Sequence, residues 1–397
     1  MTEADPAEDR LDRSRPSMAT VLREWGWIGC VGFGGPPTHI RMLRELCVER
    51  RRWIGAVEFE DAVAACNLLP GPASTQLAIF CAWRVRGRLG AVVGGMAFIV
   101  PGLIVILALA ALFLAEDPPR WVLAAGAGAA AAVAAVAVHA AAGLLPASWQ
   151  RAHGAGRARV LRWAAYLIAG VLAAATVGPW VVLVLLACGA IELTARLPRD
   201  TRPTAVLPMP ILASGAISVG VLSSVAWVAF KVGALSYGGG FVIIPLMQAD
   251  AVDRYHWMTS GQFLNAVALG QITPGPVVQT VAVVGYAAAG LTGGLLASAV
   301  AFGPSFALIL FGARRFDQLR ANPSARAFLD GAGPAAIGAI AGSAVSLARA
   351  LTEPWQYFVL AGAAIVLLVL RRGVVPTLLA AAAAGIILTA GGLALPH

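Results

Sequence analysis

Pro70-Gly71-Pro72-Ala73-Ser74-Thr75-Gln76 and Pro274-Gly275-Pro276-Val277-Val278-Gln279-Thr280 are two versions of one turn, set 204 positions apart in a chain of 397 residues. Other motifs keep that offset. Gly29-Cys30-Val31-Gly32-Phe33-Gly34-Gly35 returns as Gly233-Ala234-Leu235-Ser236-Tyr237-Gly238-Gly239, Trp53 returns as Trp257, and Phe59 as Phe263. The register then slips by one, so that Pro101 matches Pro304. Proline removes a backbone donor and obstructs helix continuation, so each Pro-Gly-Pro is a turn and not a helix interior. The apolar pieces flanking the first turn, Glu58–Leu69 and Ala73–Trp83, are about 12 residues, or roughly 18 Å of helix. Neither crosses a hydrocarbon core of about 30 Å. The pattern predicts a hairpin of two half-helices with its tip inside the membrane, followed by four longer spans, in each half.

Composition sets that hairpin in a bilayer. The chain is 59% hydrophobic and only 12% charged, about half the charge of a soluble domain. Uncharged runs cover Leu89–Ala115, Pro203–Phe230 and Tyr255–Ala313, and roughly 20 apolar residues suffice for a helical span. The expected fold class is therefore all-α, a polytopic membrane protein built from two inverted-topology repeats. Strands are not expected, because an open sheet leaves edge groups unsatisfied in lipid. The composition excludes a soluble enzyme, a disordered chain and a small secreted scaffold. The expected organisation is a cytoplasmic-type tail over residues 1–18, a first repeat over 19–196, a charged and Pro-rich linker over 197–210, and a second repeat over 211–397.

The net charge of +9 reads as orientation and not as nucleic-acid binding, since inward-facing loops of membrane proteins are basic. Arg41, Arg44, Arg50, Arg51 and Arg52 precede the first hairpin and Arg84, Arg86 and Arg88 follow it. Both flanks are expected in the cytoplasm. The second hairpin is preceded by Asp250, Asp253 and Arg254 and followed by no charge near Gly290–Gly294, so its flanks are expected outside. The stretches Arg151–Arg162, Arg196–Arg202, Arg314–Arg326 and Arg371-Arg372 join the basic side. The first segment carries Arg23 and Glu24 and is polar for a span, so both placements of the N-terminus stand. The five cysteines form no CxxC pair or metal-ligand spacing and read as small apolar residues.

Inverted repeats with interrupted helices are the build of secondary transporters, with substrate held at the midplane. Here an anion is favoured. The second half-helix of each hairpin starts just after Pro72 or Pro276, pointing its N–H groups and positive dipole end at the membrane centre. Ser74, Thr75, Gln76, Gln279 and Thr280 lie in those first turns. The glycine clusters Gly32–Gly35 and Gly238-Gly239-Gly240 offer backbone donors at close approach. The competing reading, that these small residues only allow helices to pack, is disfavoured by two copies at a fixed offset. Lys231, the single lysine, sits beside the second glycine motif. It is either a counter-charge for an anion or a snorkelling or paired residue. Arg23 and Glu24 are either a site cation with its partner or an interfacial ion pair. His39 belongs either to the first motif or to the loop. Glu58, Glu60 and Asp61 fall opposite Gln262, Leu264 and Asn265, which suits a solvated mouth better than a proton relay.

Phe33-Gly34-Gly35-Pro36 with Pro70-Gly71-Pro72, and Tyr237-Gly238-Gly239-Gly240 to Pro245 with Thr273-Pro274-Gly275-Pro276, resemble the paired motifs of the chromate ion transporter family in its long, two-domain form. The resemblance covers roughly residues 19–395. It implies export of chromate from the cytoplasm across the bacterial inner membrane, giving chromate resistance, with sulfate as a structural analogue. The expected site comprises Gly34, Gly35, Pro36, Pro70, Gly71, Pro72, Ser74, Gln76, Lys231, Gly238, Gly239, Gly240, Pro274, Gly275, Pro276 and Gln279. Gly240 stands where the first copy has Pro36, so the halves need not contribute equally. No cofactor, catalytic residue or metal site is expected. The expected partners are a small tetrahedral oxyanion and the lipid bilayer, with a homodimer admitted and nucleic acid excluded. The alternative is a proton- or anion-coupled transporter of another oxyanion or a small organic anion. No Walker A motif is present, which argues against an ATP-driven pump, and no nucleophile–base or metal cluster points to an enzyme.

Overall fold

The computed structural model describes residues 16–69, 71–154, 156–176, 181–196, 220–236, 243–313 and 322–395. All regular structure among them is helical. The first part of the chain forms α1 (Met18–Val31), α2 (Pro36–Arg44), α3 (Ala56–Leu68), α4 (Ala73–Phe113), α5 (Arg120–His153), α6 (Arg157–Thr176) and α7 (Val181–Arg196). The second forms α8 (Val221–Leu235), α9 (Ile244–Gln248), α10 (Ser260–Ile272), α11 (Thr280–Gly312), α12 (Pro323–Arg349), α13 (Pro354–Ala364) and α14 (Val374–Ala390). The expected linker, most of the N-terminal tail, Pro70 and Gly238-Gly239-Gly240 lie outside the described residues.

Local chemistry explains the boundaries. The Ser17 side chain caps α1 by accepting the Thr20 N–H at 3.1 Å. Pro36 opens α2 after Gly35, whose φ of 71° suits glycine. Thr259 and Gln262 form a reciprocal capping box at the start of α10. Asn322 caps α12 ahead of Pro323. The helices α2 and α9 both run on into a π-helical turn, Glu45–Arg50 and Ala249–Arg254. Each is followed by a residue of positive φ, Arg52 at 51° and His256 at 52°. The bounds of α3 and α10 differ by 204 at both ends.

The helices α4, α5, α6, α11 (with the turn before it) and α12 are long and apolar enough to cross a membrane; α8, α13 and α14 are shorter apolar helices. Large apolar side chains such as Leu89, Ile104, Leu161, Phe311, Phe358 and Ile387 face outward, as a lipid-facing belt does. The molecule is a multi-pass membrane protein. The expected break after Trp83 falls slightly later. The helix continues to Arg86-Gly87, where Gly87 at φ 70° kinks α4, and α11 kinks likewise at Ala289-Gly290, with Gly290 at φ 61°.

Packing crosses between the two parts of the chain. The helix α5 lies against α10, α12, α13 and α14, while α12 lies against α5, α6 and α7. Small residues permit this: a Cβ at Gly128 of α5 would stand 2.1 Å from the Ala381 carbonyl of α14, and one at Gly338 of α12 would stand 2.0 Å from the Leu167 carbonyl of α6. Ion pairs reinforce the second contact. Glu192 of α7 accepts from Arg162 at 2.7 Å and from Arg196 at 2.7 Å, and Asp330 of α12 accepts from Arg159 at 2.5 Å and Arg196 at 2.9 Å.

Candidate functional site

The helix pairs α3–α4 and α10–α11 each meet at a Pro-Gly-Pro tip. Gly71 has φ 117° and Gly275 φ 93°, a conformation that L side chains rarely adopt. The Gly71 N–H donates to the carbonyl of Ser236, the C-cap of α8, at 2.9 Å. The Gly275 N–H donates to the carbonyl of Gly32, the C-cap of α1, at 3.0 Å. Each tip is thus bonded to the end of a helix from the other part of the chain. The acceptors Gly32 and Ser236 are themselves 204 positions apart.

Close approaches repeat the relation. A Cβ on Gly71 would meet Gln76 Nε2 at 2.6 Å and Ser305 Oγ at 3.1 Å. A Cβ on Gly102 would meet the Pro274 carbonyl at 2.1 Å and Gln279 Oε1 at 2.6 Å. Gly102 and Ser305 follow the two matching prolines, Pro101 and Pro304. Gln279 Nε2 donates to the Ile99 carbonyl at 2.7 Å.

His39 connects the tips. Its Nε2 lies 2.8 Å from the Gly32 carbonyl, which can only accept, so the proton is on Nε2. In the neutral ring Nδ1 then accepts from Ser74 Oγ, 3.3 Å away at the start of α4. The imidazole is fully buried, edge-on to Phe98. Gly35 also reaches the second tip: a Cβ there would meet Val277 Cγ2 at 3.6 Å. His39 therefore belongs to the motif and not to a loop.

Around this centre Ser74, Thr75, Gln76, Ser236, Gln279, Thr280 and Ser305 are buried. Thr75 Oγ1, Ser236 Oγ, Ser305 Oγ and Gln279 Oε1 have no hydrogen-bond partner among the described residues. Buried polar atoms usually have one, so three hydroxyls and an amide oxygen are available to a ligand or water. The N–H groups of Thr75 and Gln76 close on the Pro72 carbonyl at 3.0 Å each, and the N–H groups ahead of them carry the positive end of α4. The second tip differs, because a 3-10 turn, Val277–Gln279, intervenes before α11. The three hydroxyls and the N–H groups at the start of α4 are uncharged donors and suit an anion that is recognised by dipoles, while the Gln279 amide oxygen can only accept, as from a water.

The charged candidates sit elsewhere. Lys231 of α8 is ion-paired with Asp250 in the π turn after α9. Glu24 of α1 is buried and accepts from Arg50 at 2.5 Å, Arg51 at 2.6 Å and Arg23 at 3.3 Å. Burial alone would raise the Glu24 carboxyl, but these guanidiniums hold it below the usual carboxylate range. Arg23 and Glu24 thus form part of a structural ion cluster. Glu58 pairs with Arg84 and Glu60 with Arg44.

Gly34, Gly35, Pro36, Gly71, Pro72, Ser74, Gln76, Pro274, Gly275, Pro276 and Gln279 all lie at the tips or in the turn before α2. Ser236, Ser305, Gly102 and His39 complete the centre. Ser236 stands inside the repeated glycine motif opposite Gly32, whereas Ser305 and Gly102 are legible only by carrying the 203 offset one residue past Pro304 and Pro101.

A cavity of about 830 Å³ opens beside the first hairpin. Glu60, Val63, Ala64 and Asn67 of α3 form one wall, and α5, α6 and α12 supply the others. Asn67 lies one helical turn before the Pro-Gly-Pro tip.

Comparison with known proteins follows the same residues. The sequence model of the family described as chromate transporter matches residues 19–193 and 223–388. A chromate transport protein of Cupriavidus metallidurans is 32% identical over 81% of this chain and 80% of its own. One of Pseudomonas aeruginosa is 31% identical over 82% and 80%. A probable chromate transport protein of Synechococcus elongatus is 28% identical over 85% and 86%. No solved structure matches the chain.

Proposed function

The chain belongs to the chromate transporter family, and from that premise we propose that it exports chromate across the bacterial inner membrane by alternating access between two oppositely oriented halves. The observation that carries this reading is the reciprocal pair of backbone bonds, Gly71 to Ser236 and Gly275 to Gly32. A two-fold relation between halves requires each tip to find the other half's first helix in the same way. Charge supports the opposite orientation. The first half fastens its opening helix through an acid, Glu24, held by Arg50 and Arg51 at the end of the π turn, whereas the second uses a base, Lys231, held by an acid, Asp250, in the corresponding turn.

In this mechanism the dianion rests between the two re-entrant tips. The start of α4 presents N–H groups and about half an elementary charge. Hydroxyls of Thr75, Ser236 and Ser305 supply hydrogen bonds to oxyanion oxygens, and His39 holds Ser74 in place. Gly71 and Gly275 let the backbone pass close to the ligand, and Gly34, Gly35 and Pro36 support the second tip. Gly238, Gly239 and Gly240 would play the corresponding part in the other half. Sulfate shares the tetrahedral shape and charge, so it competes.

A membrane potential supplies the direction. Outward movement gains about 2.3 kcal/mol per charge per 100 mV, or roughly 4.6 kcal/mol for a dianion. The test is chromate flux in proteoliposomes under an imposed potential, with sulfate as competitor. Flux should rise with the potential and need no pH gradient, including after Glu58, Glu60 and Asp61 are neutralised. Absence of potential-dependent chromate flux overturns the reading.

A further inference from the structure

The cavity under α3 carries more positive charge than the fold uses. Arg151, Arg159 and Arg326 line it, together with the carboxylates of Glu60 and Asp330. Glu60 is already paired with Arg44 from outside the lining, and Asp330 already binds Arg196 at 2.9 Å as well as Arg159 at 2.5 Å. Arg151 reaches Asp330 only at 3.7 Å. Arg326 has no ion pair among the described residues, although it lines the same space. Three guanidiniums and two carboxylates line the space, and the excess falls on the two exposed arginines at the rim, Arg151 and Arg326.

Structural pairing alone does not explain the arrangement. Asp330 and Glu192 suffice to fasten α6, α7 and α12, and Arg326 takes no part in that network. A water occupies about 30 Å³, so about 830 Å³ admits a tetrahedral dianion with much of its hydration shell. Like charges focused in a cleft with low-dielectric walls raise the local concentration of an oppositely charged solute. At its inner end the cavity reaches Asn67, a neutral donor and acceptor one turn from the tip.

We infer that this cavity is a separate anion-capture station, in which Arg151 and Arg326, with Arg159 positioned by Asp330, hold a still-hydrated divalent oxyanion before it passes Asn67 to the uncharged centre between the tips. The inference rests on the reading of the chain as an oxyanion transporter and adds a charged site to it. Recognition is divided between the two stations. The rim selects by charge and is sensitive to salt, and the tips select by hydrogen-bond geometry after dehydration.

The test uses equilibrium dialysis of the full-length, detergent-purified protein against radiolabelled sulfate and against chromate, at low and high ionic strength. Affinity for both anions should fall about tenfold in the R151Q/R326Q double variant and should lose most of its salt dependence. The R151K/R326K variant should recover most of that loss, which a purely structural role of the guanidiniums would not give. In proteoliposomes the double Gln variant should raise the half-saturating chromate concentration more than it lowers the maximal rate. Wild-type affinity matched by the double Gln variant, or failure of the wild type to bind either anion, overturns the capture station. Arginine-dependent binding without flux in any variant leaves the station standing and overturns the transport reading instead.

Discussion

The helices α3 and α10 have the same length, lead into the same Pro-Gly-Pro turn and are related by one offset, yet they stand in different surroundings. On α3, Glu60, Val63, Ala64 and Asn67 face an open cavity. The positions one repeat later, Leu264, Val267, Ala268 and Gln271, are exposed by only 2%, 1%, 1% and 7%, and α10 packs against α5 and α14. Two near-equivalent elements in unequal environments are what a transporter open to one side presents. Under the alternating access proposed above, the sequence duplication specifies the parts, while the conformational state decides which copy meets water.

The strongest challenge to that comparison is topological and all-or-none. Single cysteines in place of Arg86 and Leu291, beside the two kinks, should react with a membrane-impermeant maleimide from opposite faces. Leu291 is preferable to Gly290, whose φ of 61° would strain any side chain. Labelling from the same face would end the inverted arrangement.

Next in size is the difference between the tips. Both glycines have positive φ, but Gly71 is the more crowded, with Ser305 Oγ 3.1 Å and the movable Gln76 Nε2 2.6 Å from its absent Cβ against 3.6 Å for the nearest atom at Gly275. A left-handed conformation costs roughly 1–2 kcal/mol for an L residue, so Gly275→Ala should lower chromate flux by about five- to thirtyfold. Gly71→Ala should lower it further. Equal losses would show that the tips are not distinguished by packing.

A comparable ratio is expected in labelling. Asn67→Cys should react with a soluble thiol reagent about tenfold faster than Gln271→Cys, a gap of about 1.4 kcal/mol in exposure. Turnover with chromate should narrow that ratio as α10 becomes exposed and α3 closes. A ratio unmoved by substrate would mean that the asymmetry is fixed.

The smallest effect on transport is expected at the ion pair that secures α8. Lys231→Met alone leaves the buried Asp250 carboxylate unpaired and should lower stability by roughly 3 kcal/mol, read as a fall in Tm. Adding Asp250→Asn should recover much of it and return chromate flux to within about twofold, a difference of under 0.5 kcal/mol. Recovered stability with abolished flux would restore Lys231 as a substrate ligand.

The sequence shows the turns, the half-length flanking helices and the shared offset, because proline, glycine and apolar run length act locally. Partner choice is not legible in the same way. Nothing local tells Gly71 to bond Ser236 and Gly275 to bond Gly32, since backbone donors carry no side-chain label. The Ala129–Ala137 stretch of α5 is buried all round, so it has no apolar face whose direction could be read. Lys231 beside a glycine motif suggests an anion ligand until its contact with Asp250, 19 residues on, is known. In the sequence, Arg151, Arg159 and Arg326 read only as orientation charges. Their convergence on one cavity depends on how α5, α6 and α12 cross.

That crossing bears on how the protein is made. When α5 leaves the ribosome, most of the surfaces it will bury against, on α10, α12, α13 and α14, have not been synthesised. An alanine-rich helix with few sequence neighbours must therefore wait in the bilayer for more than a hundred residues of further chain. Final assembly is tied to the last helices to emerge, as expected for contacts of high sequence separation. A nascent first half would be vulnerable to quality control until the second arrives. Halves expressed from separate messages would have to intertwine to become stable.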